Sequence, residues 1–188
     1  MITIRVLPRK AFSSELEDLN LTQSTIKFLR EKFLDGETGL HLIVGATMSG
    51  KNTTMLACLR EIALPDNLKI ISVEMPVEQE LFGVEQISCE SAEEYELNCD
   101  ALIRENPDIV YITETNDSVG KYVIKTANTG KSVLTTLHAN TVSGTLTRLQ
   151  DVTGMSIDRL LFNIHSIVYQ ELRRDDEKDI VYPWNRYV

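Results

Sequence analysis

The ten residues Gly45-Ala-Thr-Met-Ser-Gly50-Lys51-Asn-Thr-Thr54 constrain this chain more than any others. They follow the apolar run His41-Leu-Ile-Val44 and precede a helical repeat. A strand that ends in G-x-x-x-x-G-K and opens into a helix is the setting of a phosphate loop. Glycines let successive backbone N–H groups turn toward phosphate oxygens, and the helix N-terminus adds partial positive charge. Lys51 is placed to reach the β- and γ-phosphates. The candidate nucleotide contacts are Gly45, Ser49, Gly50, Lys51, Asn52 and Thr53. The residue after such a lysine is usually Ser or Thr, whose hydroxyl ligates Mg²⁺. Here it is Asn52, whose amide oxygen has a longer reach, while Thr53 comes one residue late. Met48 places a bulky side chain in a loop that often uses glycine.

Downstream, short apolar runs alternate with helical patterns. Met55, Leu56, Leu59, Ile62 and Ala63 recur at helical spacing, and Pro65 closes that helix. Strands are expected at Ile70–Val73, Asp108–Ile112 and Ser132–Leu137. Tyr95, Cys99, Leu102 and Ile103 share one helix face, and a further helix is expected over 117–128. This alternation implies βαβ units and an α/β fold with a mostly parallel sheet flanked by helices. In such sheets ligands bind beyond the carboxyl ends of the strands.

Ahead of this core, residues 2–7 read as a strand, and 21–34 as an amphipathic helix with Ile26, Leu29 and Phe33 on one side. A nucleotide-binding domain over 1–172 is expected, with 1–38 as its leading strand and helix. Residues 173–188 form a charged tail that opens with Arg-Arg-Asp-Asp-Glu-Lys-Asp. At 188 residues the chain suits one domain. Its net charge of −9 argues against nucleic acid as a partner, because that binding wants a basic face. No apolar run nears the roughly 18 residues of a membrane helix, and the N-terminus lacks the apolar region of a secretory signal. Three cysteines without C-x-x-C spacing read as reduced thiols, two of them on helices, which fits a cytoplasmic location.

Acidic groups follow the expected strands. Glu74 and Glu78 stand in Glu-Met-Pro-Val-Glu, where Pro76 turns the chain. A carboxylate there can orient or deprotonate an attacking water. Glu114 caps the Asp108–Thr113 run, the pattern that holds Mg²⁺ and its waters. His138 follows the Ser132–Leu137 run, with Thr136, Asn140 and Thr141 nearby, and suits a γ-phosphate sensor. His41 and His165 lie in apolar stretches and read as structural.

Taken in order, these segments resemble the secretion-superfamily motor ATPases of type IV pili and type II secretion. That family's phosphate loop, G-P-T-G-S-G-K-[ST]-T-T, matches GATMSGKNTT at 45–54. Its acidic box I-E-D-P-[IV]-E matches Val73-Glu-Met-Pro-Val-Glu78, and a Gly-x-x-Gln element follows as Gly83–Gln86. The stretches Leu102–Asp117 and Ala127–Asn140 match its Walker B and histidine boxes, and Arg148–Asp151 and Gln170 echo later elements. The resemblance implies a RecA-like P-loop core that uses ATP and Mg²⁺. It makes Lys51 the phosphate ligand, Glu78 the base for water, Asn52 and Glu114 the metal residues and His138 the γ-phosphate sensor. It also implies a hexamer at the inner-membrane platform of a pilus or secretion system.

The sequence departs from the pattern at Asn52, Met75 for Asp, Thr113 for Gly, Asn116 for Arg and Lys131 for His. All five are expected to fall on the chemistry. The family's N-terminal domain, which supplies arginines to the neighbouring subunit, and its C-terminal helical region are expected to be missing. Two functions therefore stand: a motor ATPase that drives pilin assembly, retraction or secretion, and a catalytically impaired or truncated nucleotide-binding paralogue that serves in assembly or regulation. A small-molecule kinase is the weaker third, since the chain shows no arginine-rich lid.

Overall fold

The computed structural model describes residues 15–19, 21–33, 37–63, 67–141 and 143–171, with backbone only for Lys32 and Phe33. Six strands form one sheet: β1 (Gly39–Gly45), β2 (Ile70–Glu74), β3 (Glu85–Ser88), β4 (Ile109–Ile112), β5 (Ser132–His138) and β6 (Ile164–Tyr169). Their order is β3-β2-β4-β5-β1-β6, and every pairing is parallel. The helices are α1 (Gln23–Phe28), α2 (Lys51–Ala63), α3 (Ala92–Ala101), α4 (Gly120–Ala127), α5 (Gly144–Thr153) and α6 (Ile157–Asn163). The expected parallel α/β sheet flanked by helices is what forms.

Strand residues alternate between two apolar layers, as the two-residue period of a strand requires. Leu40, Leu42, Val44, Val110, Ile112, Val133 and Leu137 face α3, α4, α5 and α6. Ile43, Ile70, Ile109, Tyr111 and Leu134 face α2 and the segment that contains Leu16, Ile26 and Leu29. Both faces are covered, so the strands read as near-continuous apolar runs. Cys58 on α2, Cys99 on α3 and Cys89 after β3 are free and buried. Burial pushes the Cys99 thiol up to about 12, so it stays protonated.

Several boundaries move from expectation for local reasons. The helix expected over 117–128 starts only at Gly120, because the Asn116 side chain caps a turn first. Asn116 Oδ1 accepts from the Ser118 amide at 3.0 Å, from its hydroxyl at 2.7 Å and from the Val119 amide at 3.3 Å. The helix expected over 21–34 is α1 followed by a wider π-helical turn at Leu29–Phe33. Thr22 caps α1 by accepting from the Thr25 amide at 3.2 Å. Strands β3 and β6 and helices α5 and α6 were not anticipated. The strand expected at 2–7 and the tail beyond residue 171 lie outside the described residues. Among the described residues no helix is long and apolar enough to cross a membrane.

Where α4 meets α5, Gly120 leaves no room for a side chain. A Cβ there would lie 2.2 Å from the Val152 carbonyl oxygen. Gly120→Ala therefore drives a methyl group into the α5 backbone. It is expected to destabilise the fold by about 1–3 kcal/mol, read as a lower urea midpoint with an unchanged slope.

Candidate functional site

Strand β1 runs into the loop at Gly45, and α2 starts at Lys51. Only glycine fits position 45: a Cβ would lie 2.1 Å from the Gln170 carbonyl oxygen and 2.7 Å from Ser49 Oγ. Gly50 takes φ +81° to aim the chain into α2. Met48 also takes a left-handed φ, +63°, with its side chain 89% exposed. The loop thus keeps a glycine-like backbone under a methionine, at a cost of about 1–2 kcal/mol. Gln170, just past β6, braces the loop from behind, its Nε2 donating to the Ser49 carbonyl at 2.7 Å. Ser49 Oγ and Gln170 Oε1 are buried with no hydrogen-bond partner. An orphaned hydroxyl inside a phosphate loop is a group that a ligand oxygen would satisfy.

Topology brings the next groups together. Strand β5 lies between β1 and β4, and its register pairs Gly45 with His138. Lys51 is buried, and its ammonium uses three donors: the Gly45 carbonyl at 3.1 Å, the Ala46 carbonyl at 2.8 Å and His138 Nδ1 at 3.2 Å. His138 Nε2 lies 3.3 Å from Glu114 Oε1. An imidazole that accepts at Nδ1 carries its proton on Nε2, where it can donate to the carboxylate. Burial lowers the Lys51 pKa, and the Glu114 charge opposes that shift.

Glu114 is fixed through its backbone. The Tyr95 hydroxyl donates to the Glu114 carbonyl at 3.0 Å and accepts from its amide at 3.1 Å. The segment is stitched to β5 by Thr136 Oγ1 to the Thr113 carbonyl at 2.6 Å and by the Thr115 amide to the Thr136 carbonyl at 2.8 Å. Thr113 donates to the Val73 carbonyl on β2 through its amide at 3.2 Å and its hydroxyl at 3.3 Å. Sequence reasoning placed Tyr95 on an apolar face and missed this clamp; its periodicity signals the ring's burial but not the work of its hydroxyl.

A cavity of about 130 Å³ opens beside Glu114. Its wall includes Asn52, Glu74, Met75, Glu78, Thr113, Glu114 and Asn116. Both predicted metal residues and the predicted base therefore share one cavity, as do four of the five departures from the family pattern. Thr53 lies on the exposed side of α2, outside that wall. The fifth departure, Lys131, is not at the chemistry. It precedes β5 at the amino edge of the sheet and donates to Asn106 Oδ1 at 2.8 Å. Seven residue-to-residue steps, about 23 Å at 3.3 Å each, separate it from His138. Among the described residues no three His, Cys, Asp or Glu side chains converge closely enough to hold a metal by themselves.

With this geometry in view, the comparisons are specific. The family model described as type II/IV secretion system protein matches residues 1–179. The chain belongs to that family. It is 34% identical over 176 residues to type II secretion system protein E of Xanthomonas campestris, covering 92% of this chain and 30% of the relative. It is 36% identical over 137 residues to the competence protein ComGA of Halalkalibacterium halodurans, covering 71% of this chain and 39% of the relative. The chain thus spans about a third of the length of these curated relatives. Among solved structures, the pilus retraction motor PilT with bound ADP superimposes with a TM-score of 0.73 at 25% identity, covering 97% of this chain and 56% of that one. The Legionella pneumophila ATPase DotB, at 24% identity and a TM-score of 0.70 over 89% of this chain and 49% of that one, shares the fold.

Glu74 differs from the other two cavity carboxylates because it is buried. Burial raises its pKa, and hydrogen bonds from Gln86 and Ser72 only partly offset this. The folded state then binds more protons than the unfolded chain over that window, so stability falls as pH rises from the usual glutamate value of about 4.3 upward. Glu74→Gln keeps an acceptor for Gln86 and Ser72 but removes the buried charge. Its gain in stability over the parent should be largest at neutral pH and should shrink toward pH 4, as read by urea denaturation across pH.

Proposed function

We propose that this chain is the nucleotide-binding core of a motor ATPase serving a type II secretion or type IV pilus system, and that it binds Mg-ATP at the Gly45–Asn52 loop. The observation that carries the reading is the linked chain Lys51–His138–Glu114 at the carboxyl edge of neighbouring strands. The loop fits phosphate through the orphaned Ser49 hydroxyl, the left-handed Gly50 and the buried ammonium. All three donors of the Lys51 ammonium are in use, so a terminal phosphate must take one over. His138, with 39% of its side chain exposed, is the partner free to yield. It then turns toward the γ-phosphate and reports occupancy to Glu114. Among the described residues the cavity wall carries three carboxylates and no lysine or arginine. A hard divalent cation suits that oxygen-rich set. Asn52 and Glu114 would hold Mg²⁺ together with phosphate oxygens, and the metal supplies charge neutralisation there. Glu78 orients the attacking water. Assembly as a hexamer on an inner-membrane platform, on the cytoplasmic side, follows from the same reading.

The direct test is Lys51→Ala, which should weaken ATP binding by about 100-fold or more while leaving the circular dichroism spectrum unchanged. An unaltered ATP affinity would remove the loop from nucleotide binding.

The same wall favours low catalytic output. Catalysis of phosphoryl transfer is positioning plus charge stabilisation, and one supplied arginine is worth about 10³–10⁵ in rate. Asn116 stands where the family has arginine, and its Oδ1 is spent on the turn that leads into α4. Asn52 replaces the compact hydroxyl ligand. Phosphate release from the chain alone should therefore be well below one turnover per second. Asn52→Ser should tighten Mg²⁺-dependent ATP binding and raise that rate. A magnesium titration in which both stay flat would place the metal elsewhere.

A further inference from the structure

Strand β3 contributes no residue to the cavity wall. Yet two of its side chains, at alternate positions on one face of the strand, are spent on the loop that carries Glu78. Gln86 Nε2 donates to the Gln79 carbonyl at 2.9 Å and to Glu74 Oε1 at 2.8 Å. Gln86 Oε1 accepts from the Leu81 amide at 2.7 Å. Ser88 Oγ accepts from the Val77 amide at 3.1 Å. These contacts bracket Glu78: Val77 precedes it, and Gln79 and Leu81 follow.

Both ends of the loop are anchored as well. At the near end, Glu74 Oε1 also accepts from Ser72 Oγ at 2.7 Å, and the Glu74 carbonyl accepts from the Cys89 amide at 2.8 Å. At the far end, Leu81 is buried in the α2 layer. Gly83 then turns with φ +78° so close to the end of α2 that a Cβ would lie 3.0 Å from the Ala63 carbonyl oxygen. That turn returns the chain beside β2 and brings Gln86 level with Ser72 in the parallel register. Gly83 and Gln86 are one device: the glycine sets the path and the glutamine ties the loop.

We propose that Gln86 is a positioning residue for Glu78, holding the Val77–Leu81 backbone so that the Glu78 carboxylate faces the cavity beside Asn52 and Glu114. The assignment rests on the reading of Glu78 as the group that handles the attacking water. Gln86 is not on the cavity wall; it acts through the Gln79 carbonyl and the Leu81 amide. Its loss should leave phosphate binding intact and misplace the water, and misplacement of about 1 Å costs on the order of 100-fold in rate.

The test uses the full chain with Gln86→Met, which keeps volume and removes all three bonds, and Ser88→Ala, an exposed position whose loss spares folding. Glu78→Gln is the reference. Three quantities are read: affinity for a fluorescent ATP analogue, phosphate release from labelled Mg-ATP under single-turnover conditions, and amide exchange over 77–81. Gln86→Met should keep the affinity within about twofold, slow phosphate release about 10- to 100-fold and speed exchange at Leu81 with no change over 45–54. Ser88→Ala should slow release in the same direction by about three- to tenfold, the loss of one hydrogen bond, and it carries the test if Gln86→Met fails to fold. Added to Glu78→Gln, Gln86→Met should lower the rate no further, because the two act as a unit. A parental rate and exchange pattern in Gln86→Met, or a full additional loss on top of Glu78→Gln, overturns the inference alone. A parent chain that binds ATP but hydrolyses it no faster than Glu78→Gln removes Glu78 from the reaction and this inference with it. A parent that binds no ATP overturns the nucleotide reading itself.

Discussion

The parallel pairing of β5 between β1 and β4 is the constraint on which the site depends. It sets three strand ends side by side on one edge: the one that feeds the phosphate loop, the one that ends in His138 and the one that leads to Glu114. A buried ammonium is costly unless hydrogen-bonded. The edge supplies what Lys51 needs from the Gly45 and Ala46 carbonyls and from His138. A one-residue slip of β5 would turn His138 to the other face of the sheet and leave the ammonium one acceptor short. Register, lysine burial and carboxylate placement therefore stand or fall together.

The departures from the family pattern have a spatial logic that the linear sequence conceals. Asn52, Met75, Thr113 and Asn116 come from four separate segments and meet on one cavity wall. Two of them perform local structural work there. Thr113 ties β4 to the Val73 carbonyl, and Asn116 caps the turn into α4. The frame around them, with Lys51, Glu78, Glu114 and His138, keeps its residue types. Lys131 lies at the opposite edge of the sheet, so its replacement bears on the start of β5 and not on the cavity.

Much of this was legible in the sequence because it rests on strong local signals. Four strands and the α2, α3 and α4 helices are long or periodic enough to read, and the glycines of the phosphate loop mark its place. Legibility failed where those signals are weak. Strand β3 is a four-residue edge strand, Glu-Gln-Ile-Ser, too polar and short to show an apolar period. Strand β6 begins at Ile164 directly after α6 ends at Asn163, with no glycine or proline between them. Within the site, residues that bond through side chains across elements were hidden: Tyr95 reads as core, and the glutamines 86 and 170 read as motif echoes. Tyr95 and Gln170 bond backbone atoms distant in sequence, and Gln86 bonds a loop that has no regular period, so no spacing rule reports them.

The support around the cavity is distributed unevenly, and this bears on how the site can change state. Glu114 is held through its own peptide by Tyr95, and its neighbours Thr113 and Thr115 are tied to β2 and β5. The phosphate loop is held from behind by Gln170. By contrast, His138 meets its two partners at 3.2 Å and 3.3 Å with its ring half exposed. Contacts of that length, open to water, cost less to exchange than buried backbone bonds. The imidazole is thus the soft joint between two rigid supports. A ligand that competes for the Lys51 ammonium shifts the histidine before it shifts the loop or the strand ends.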